Sequence, residues 1–439
     1  MVYDFLADKR FEGLKPLENR ANLATPTMHE GAEMVYVRKA YESGWVTTVG
    51  ENINELERLA AEAVGVNHAV ALTCGTAAIH LAVKLAAERL YQSSTGISTP
   101  GGKGYGGALL GKRVFVSDLT FDATVNPIVY EGGEPILIDS EYDTWNMDPQ
   151  ALEKAFELYP DVKLVILVHL YGTPAKVKEI KQICENHGAL LIEDAAESLG
   201  AKVEGKMTGS FGDYGIISFN GNKIITGSSG GMMLVNDKYS ADKARKWSTQ
   251  AREAATWYEH EELGYNYRIS NVVAGIIRGQ WEFLGEHIEQ KKRVYNHYKE
   301  ALKELPVSMN PTTVNSNYWL SCLMIDENAM AGTARSGRTA IFNREKGKSS
   351  PTEILEALNA YNCEGRPIWK PMHMQPIYAG NGFVTKNGNG RARSDAYISH
   401  TGGDVSSDLF HRGLCLPSDN KLNERQMNTV VEIVKRCFQ

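Results

Sequence analysis

The sequence predicts an α/β protein: a mainly parallel sheet with helices on both faces, followed by a second, smaller domain. Three observations carry this. Short apolar runs alternate with helical stretches from residue 52 to residue 193, the pattern of strand–helix–strand crossovers. After Asp194 the alternation stops and longer helices take over. The chain has 439 residues, more than one hydrophobic core usually serves.

The elements follow in order. Asn52 to Val64 reads as an amphipathic helix, with Ile53, Leu56, Ala60 and Ala63 on one face. A strand from Ala69 to Leu72 leads through the small residues Thr73-Cys74-Gly75-Thr76 into a helix from Ala77 to Leu90. The unit recurs. The strand Val114 to Val116 precedes a helix over Thr124 to Tyr130, Pro135 to Ile138 precedes Ala151 to Leu158, and Leu164 to Val168 precedes a helix near Val177 to His187. Leu190 to Glu193 is the next strand. Gly215 to Ser218 and Gly231 to Val235 are short strands separated by a Gly/Ser-rich connection. Helices are expected at Ala241 to Trp247 and, as one long element bridging into the smaller domain, from Asn271 to about Tyr298. The last helix is Glu424 to Cys437. The division falls near residue 285, giving a large domain over 1–285 and a small one over 286–439.

Residues 92–112 break the pattern and read as a Gly-rich surface insertion. Within it, Gly106-Gly107-Ala108-Leu109-Leu110-Gly111-Lys112 imitates a nucleotide-binding P-loop. Arg113 stands where that loop needs Ser or Thr for a metal ion, and the run precedes a strand instead of following one, so the P-loop is rejected.

Composition narrows the function. The apolar fraction is 43% and the charged fraction 23%, ordinary for a globular chain. A net charge of −6 gives no basic excess for nucleic acid or an anionic membrane. The six cysteines, Cys74, Cys184, Cys322, Cys363, Cys415 and Cys437, form no CxxC pair and have no His cluster beside them. Buried free thiols in a reducing, cytoplasmic setting are expected, with no metal site. Met1 to Arg20 carries no apolar core of a signal peptide, and no apolar stretch reaches membrane-spanning length.

Three local features are candidates for a site. Cys74-Gly75-Thr76 lies between a strand and a helix N-terminus, where unpaired amides and the Thr76 hydroxyl suit a phosphate; alone, Gly-Thr at a helix start is usually only a cap. Asp194, at the end of Leu191-Ile192-Glu193, sits at the strand edge where open α/β sheets bind ligands. It can pair with a protonated ring nitrogen of a cofactor or, equally, cap the next turn. Lys223 follows Ser218-Phe219-Asn220-Gly221-Asn222 and precedes Ile224-Ile225-Thr226-Gly227. A lysine held beside the sheet edge can lose its proton and act as a nucleophile, although a lone loop lysine is more often solvated.

Together these runs resemble the DegT/DnrJ/EryC1/StrS family of sugar-nucleotide aminotransferases, within fold type I of the enzymes that use pyridoxal 5'-phosphate (PLP). The resemblance runs from about residue 25 to the C-terminus, apart from the insertion. It is carried by Trp45 to Gly50, Gly75 to His80, Thr120-Phe121, Val168 to Gly172, Glu193 to Glu197, Ser218 to Lys223, Ser248 to Arg252 and Gly264 to Arg268. It implies a large domain with a mainly parallel seven-stranded sheet and a smaller C-terminal α+β domain. It assigns Lys223 to the Schiff base with PLP and to proton transfer, and Asp194 to the pyridinium nitrogen. Phe121 is assigned to the ring face, and Gly75, Thr76 and Ser218 to the phosphate. Asn266 would reach the same phosphate from a second subunit, so a homodimer with shared sites is expected. Glu197 would lie near the phenolic oxygen. Two anions there repel, which leaves Glu197 protonated or turned toward substrate.

Within the family the chain is most similar to aminotransferases of the UDP-N-acetylbacillosamine pathway. Asn220 to Thr226, Ser248 to Arg252 with Tyr258-Glu259-His260, and Arg366 to His373 carry that likeness. It implies transfer of nitrogen from L-glutamate, through the pyridoxamine (PMP) form, to a UDP-linked 4-keto-6-deoxy-N-acetylglucosamine for surface-glycan or glycoprotein sugars. Asn220 stands where many relatives carry His. Arg252, Arg366, Lys370 and His373 are candidates for diphosphate or carboxylate contacts, against an equal expectation of ordinary salt bridges. Trp369 would flank the uracil or, the favoured reading, pack the small domain. A PLP-dependent dehydratase is disfavoured because Lys223 is present. A non-catalytic PLP-binding regulator is disfavoured because Lys223 and Asp194 are both kept.

Overall fold

Apolar strands too short to shield themselves must share a sheet, and among the described residues they build one large sheet, one small one and two two-stranded ribbons. The computed structural model describes residues 3–91, 107–313, 315–336, 339–389 and 403–439. Two helices come first, α1 (Ala32–Glu42) and α2 (Glu51–Val64). In α2, Ile53, Leu56 and Ala60 are buried as the period requires, but Ala63 is exposed and Val64, four residues after Ala60, takes the inner place. Then follow β1 (His68–Leu72), α3 (Gly75–Tyr91), β2 (Arg113–Ser117), α4 (Asn126–Tyr130), β3 (Glu134–Ile138), α5 (Pro149–Leu158), β4 (Leu164–Val168), α6 (Val177–Asn186) and β5 (Leu190–Asp194). A two-stranded ribbon, β6 (Lys202–Val203) and β7 (Lys206–Met207), leads to β8 (Tyr214–Ser218), β9 (Gly231–Val235), α7 (Lys238–Ser248), α8 (Asn271–Trp281) and α9 (Leu284–Ala301).

The C-terminal part contains β10 (Val307–Met309), β11 (Cys322–Ile325), β12 (Thr333–Ser336), β13 (Thr339–Phe342), α10 (Pro351–Ala360) and β14 (Arg366–Pro367). It continues with β15 (Phe383–Thr385), β16 (Gly388–Asn389), α11 (Val405–Arg412), β17 (Gly413–Cys415) and α12 (Glu424–Cys437). The helix caps are those the sequence offers. Asp148, Ser270, Ser350, Asp404 and Asn423 each accept a first-turn amide, and Asn423 with Gln426 completes a capping box.

The large sheet has the order β1-β9-β8-β5-β4-β2-β3-β15-β16. Strands β8, β5, β4, β2, β3 and β15 run parallel; β9 is antiparallel between β1 and β8, and β16 antiparallel to β15. The expectation of seven strands is therefore corrected to nine. The two extra strands come from residues 383–389, whose Phe383 and Val384 register against Leu137 and Ile138. A second sheet, β10-β11-β17-β14, is wholly antiparallel.

The two cores do not follow a single cut at residue 285. Phe5, Phe11, Leu17 and Ala21 pack with Val294, Leu323 and Val430 in the core beneath the small sheet, while Met372, Tyr378 and Phe383 join the core of the large one. The single long helix expected from Asn271 to Tyr298 is two helices. Phe283 lies between them with its ring stacked on His29 at 3.6 Å between centroids, and this contact with the N-terminal segment has no trace in helical periodicity. Residues 92–106 of the Gly-rich insertion lie outside the described residues. Its end is anchored, since the Ala108 amide donates to Glu131 Oε2 at 2.6 Å and Leu109 is fully buried. Among the described residues no helix is long and apolar enough to cross a membrane.

Candidate active site

Parallel strands feeding helices on alternate sides leave a crevice at their C-terminal ends. Here the ends of β5 and β8, the first turn of α3 and the loop after β2 converge on a cavity of about 610 Å³. Ten of the residues singled out from sequence line it: Gly75, Thr76, Phe121, Asp194, Glu197, Ser218, Asn220, Lys223, Arg366 and Lys370.

Helix α3 begins at Gly75, at the crevice, and the first-turn amides of a helix have no intrahelical backbone acceptor; here the Ala77 amide donates to Cys74 Sγ at 3.4 Å. A Cβ on Gly75 would stand 3.2 Å from Ser218 Cβ. Glycine lets the helix start lie directly against β8, and brings Thr76 and Ser218 to one corner. A phosphate fits that corner, with amide dipoles and hydroxyls and no carboxylate among them.

Asp194 is buried at the end of β5. Its Oδ2 accepts from the Thr124 hydroxyl at 2.7 Å and its Oδ1 from the Ala196 amide at 3.1 Å. Thr124 is in turn bonded to Thr120 at 2.7 Å. These two threonines hold the carboxylate in one orientation, and neither carried a role in the sequence reading. Neighbouring Glu193 faces the other side. It is bound by His169 at 2.9 Å and by the Gly209, Phe211 and Gly212 amides. Burial would raise that carboxyl, but His169 and the amides outweigh it and hold it below the usual range.

Lys223 sits in a turn closed by its own amide on the Asn220 carbonyl at 3.0 Å. Its Nζ is 3.5 Å from Glu197 Oε1 and 4.2 Å from the centre of the Trp319 ring. Glu197 also accepts from the Tyr171 amide at 2.8 Å. Burial pushes the Glu197 carboxyl up to about 7, against the pull of Lys223, so near neutral pH it is shared between its two forms. Tyr171 holds φ at +52°, a region costly for a residue with a Cβ. Its amide on Glu197, and its hydroxyl accepting from the Trp369 amide at 3.1 Å, compensate. Phe121 is exposed at the cavity rim, 5.5 Å between centroids from Trp369. Trp369 lines the cavity and packs edge-on against Tyr171 and Trp319.

Three expected residues are elsewhere. His373 is fully buried away from the cavity, its Nδ1 2.6 Å from Asp118 Oδ2, its Nε2 3.2 Å from the Ser407 hydroxyl and its ring stacked on Phe383. It cannot meet a substrate there, and the anion-contact expectation is corrected: a His one turn after Lys370 points into the protein because Met372 to Met374 form a tight turn against β2. Arg252 and Asn266 are exposed and do not line their own chain's cavity. Arg252 lies over Tyr258, and Asn266 bridges to Thr249 between the stacked Tyr265 and Tyr267. The sequence reading missed Trp319, 96 residues after Lys223, because it lies just before a small-sheet strand with no local motif around it.

The sequence profile described as the DegT/DnrJ/EryC1/StrS aminotransferase family matches residues 28–435. The chain is 39% identical over 431 residues to the putative pyridoxal phosphate-dependent aminotransferase EpsN of Bacillus subtilis (strain 168), covering 96% of this chain and 97% of that one. It is 30% identical over 409 residues to GDP-perosamine synthase of Escherichia coli O157:H7, covering 93% and 96%. The crystal structure of a DegT DnrJ EryC1 StrS aminotransferase from Brucella abortus superposes with a TM-score of 0.73 at 24% identity, covering 92% of this chain and 95% of that one. That last likeness speaks for the fold alone. The fold-type-I expectation thus stands in its mainly parallel sheet and is corrected in its strand count.

Proposed function

This chain belongs to the DegT/DnrJ/EryC1/StrS aminotransferase family, and on that premise we propose that the Lys223 cavity binds PLP and moves an amino group from L-glutamate to a nucleotide-linked keto-deoxy sugar. The observation that carries the reading is the convergence of Lys223, Asp194 and the α3 first turn on one cavity. When bound, the cofactor supplies an electron-withdrawing ring and a carbonyl that takes up and hands on nitrogen. The chain's own groups supply the rest. Lys223 would bond to the cofactor and, once free, carry protons at its Nζ. Asp194, oriented by Thr124 and the Ala196 amide, would keep a ring nitrogen protonated. Gly75, Thr76 and Ser218 would hold the phosphate, and Phe121 would cover the ring. Glu197, poised near 7, would meet the ring oxygen in its protonated form. Asn220, Arg366 and Lys370 at the rim would receive carboxylate and diphosphate.

Asn266 and Arg252 join this proposal from a second copy of the chain, in an isologous dimer whose sites are shared. Coexpressing Lys223→Ala and Asn266→Ala chains should then restore up to about a quarter of wild-type activity, since half of a random mixture is heterodimer with one intact site. Verified heterodimers without activity would overturn the sharing. A cytoplasmic setting, expected from the six separate cysteines, belongs to the same proposal.

The specific substrate proposed is UDP-4-keto-6-deoxy-N-acetylglucosamine, supported by the Asn220–Thr226, Ser248–Arg252 and Arg366–His373 runs. The likeness to GDP-perosamine synthase names the competitor, a GDP-linked keto sugar. Purified protein with L-glutamate should aminate the UDP-linked N-acetyl sugar with the highest kcat/KM in a panel of UDP-, GDP- and dTDP-linked 4-keto-6-deoxy sugars. A higher value for a GDP-linked sugar would overturn the substrate, and failure of glutamate to convert bound PLP to PMP would overturn the donor.

A further inference from the structure

We propose that Trp319 is a positioning residue for Lys223, its ring face holding the lysine's ammonium end beside Glu197 whenever that amine is not bonded to the cofactor. The inference rests on the role proposed above for Lys223. Three observations place the ring. Its face is 4.2 Å from Lys223 Nζ. Its indole N–H donates to the carbonyl of Asn222, the residue just before the lysine, at 2.9 Å. Its main chain is clamped on both sides, the amide donating to Asn317 Oδ1 at 3.0 Å and the carbonyl accepting from the buried Lys291 ammonium at 3.0 Å. Only 2% of Trp319 is exposed. One side chain therefore touches the lysine at both ends, at the peptide behind it and at the nitrogen in front.

A lysine is a compact charge on a flexible stem. Released into a cavity of about 610 Å³ with polar groups at its mouth, the amine would otherwise wander toward water. An aromatic face attracts an ammonium and does so more strongly where water is excluded. The carboxyl of Glu197 at 3.5 Å closes the other side. The remaining titratable groups around the pair are Asp194 from the end of β5 and the buried Tyr171, Cys322 and Cys415, whose protons burial retains for Tyr171 and Cys322. Ring and carboxyl thus give the free amine one station, from which it returns to the same atom in every cycle.

The test uses full-length protein loaded with PMP, in which Lys223 is free. Acetylation by dilute acetic anhydride is followed at Lys223 and at surface lysines by peptide mass analysis. Trp319→Leu removes the face and the indole N–H; Trp319→Phe removes the N–H and keeps a face. Lys223 should be acetylated roughly 2- to 30-fold faster in Trp319→Leu than in wild type, with Trp319→Phe close to wild type and surface lysines unchanged in all three. Equal acceleration in both variants, or in neither, would overturn the inference. Borohydride reduction of the PLP-loaded wild type separates the two readings: cofactor trapped on Lys223 sustains its proposed role, and cofactor trapped elsewhere removes that role and the inference with it.

Discussion

Two neighbouring groups of strand ends in the large sheet carry nearly the same residue types and reach opposite ends. At β5 and β8, Asp194, Glu197, Ser218 and Lys223 open onto the cavity. At β2 and β3, Asp118 and Asp139 meet His373, Asp404, Ser406 and Ser407 in a fully enclosed cluster. Ser407, His373 and Asp118 even form the hydrogen-bonded line of a catalytic triad, at 3.2 and 2.6 Å. Access separates the two. The His373 and Asp118 side chains have no exposure at all, whereas the Lys223 side chain keeps 13%. Burial pulls His373 toward its neutral form, but Asp118, with help from Asp404 and Asp139, outweighs it and raises its proton affinity. The enclosed cluster ties the chain around residues 371–374 and the start of α11 to the β2 and β3 ends. Residue type proposes chemistry at a strand end; an opening decides whether there is any.

Lys223→Ala should abolish transamination while the apoprotein keeps its fold, read by circular dichroism, because the lysine lines the cavity, where its Nζ meets Glu197 and the Trp319 ring. Turnover at the normal rate without added amines would remove the cavity from the chemistry.

Next comes one substitution made in both places. Asp194→Asn should cost at least ~100-fold in the single-turnover rate with glutamate. It should cost little stability, since an amide can still meet Thr124 and the Ala196 amide. Asp118→Asn should do the reverse. It should lower stability by about 1.5–3 kcal/mol through loss of a charge-assisted buried bond, with KM for the sugar unchanged in the folded fraction. Denaturant titration and stopped-flow absorbance on the two variants check both halves. If the rate loss followed Asp118 instead, the division by access would be wrong.

A further expected effect is on pH dependence. Burial, with Asp404 nearby, pushes the Asp139 carboxyl up to about 7, against the bonds it accepts from Ser406 and the Val405 amide. The unfolded value is about 4, so the folded chain holds the proton more tightly. The associated stability is complete below about pH 4 and is lost as pH rises through about 7. His373 faces the same cluster, but Asp139→Asn removes this carboxyl's share alone. The fall in melting temperature between about pH 4 and pH 7 should be shallower in the variant than in wild type. Identical slopes would assign the titration to another group.

Much of this protein was legible before any coordinates. The strands at 69–72, 164–168 and 231–235 follow from short continuous apolar runs and the helix from Glu424 to Cys437 from a period of 3.6 residues, which are local properties of the chain. The cavity-lining residues were legible for a related reason. Asp194 ends a strand and Gly75 and Lys223 follow one within a few residues, and a parallel sheet gathers such positions at one edge. Tertiary structure alone decided the rest, because burial and partners depend on residues far away in sequence. It divided the helix at Phe283, whose ring stacks on His29, 254 positions earlier in the chain. It added residues 383–389 to the large sheet and turned His373 from a candidate ligand into the partner of Asp118. It also set Trp319 over Lys223, where no local pattern in either segment points to the other.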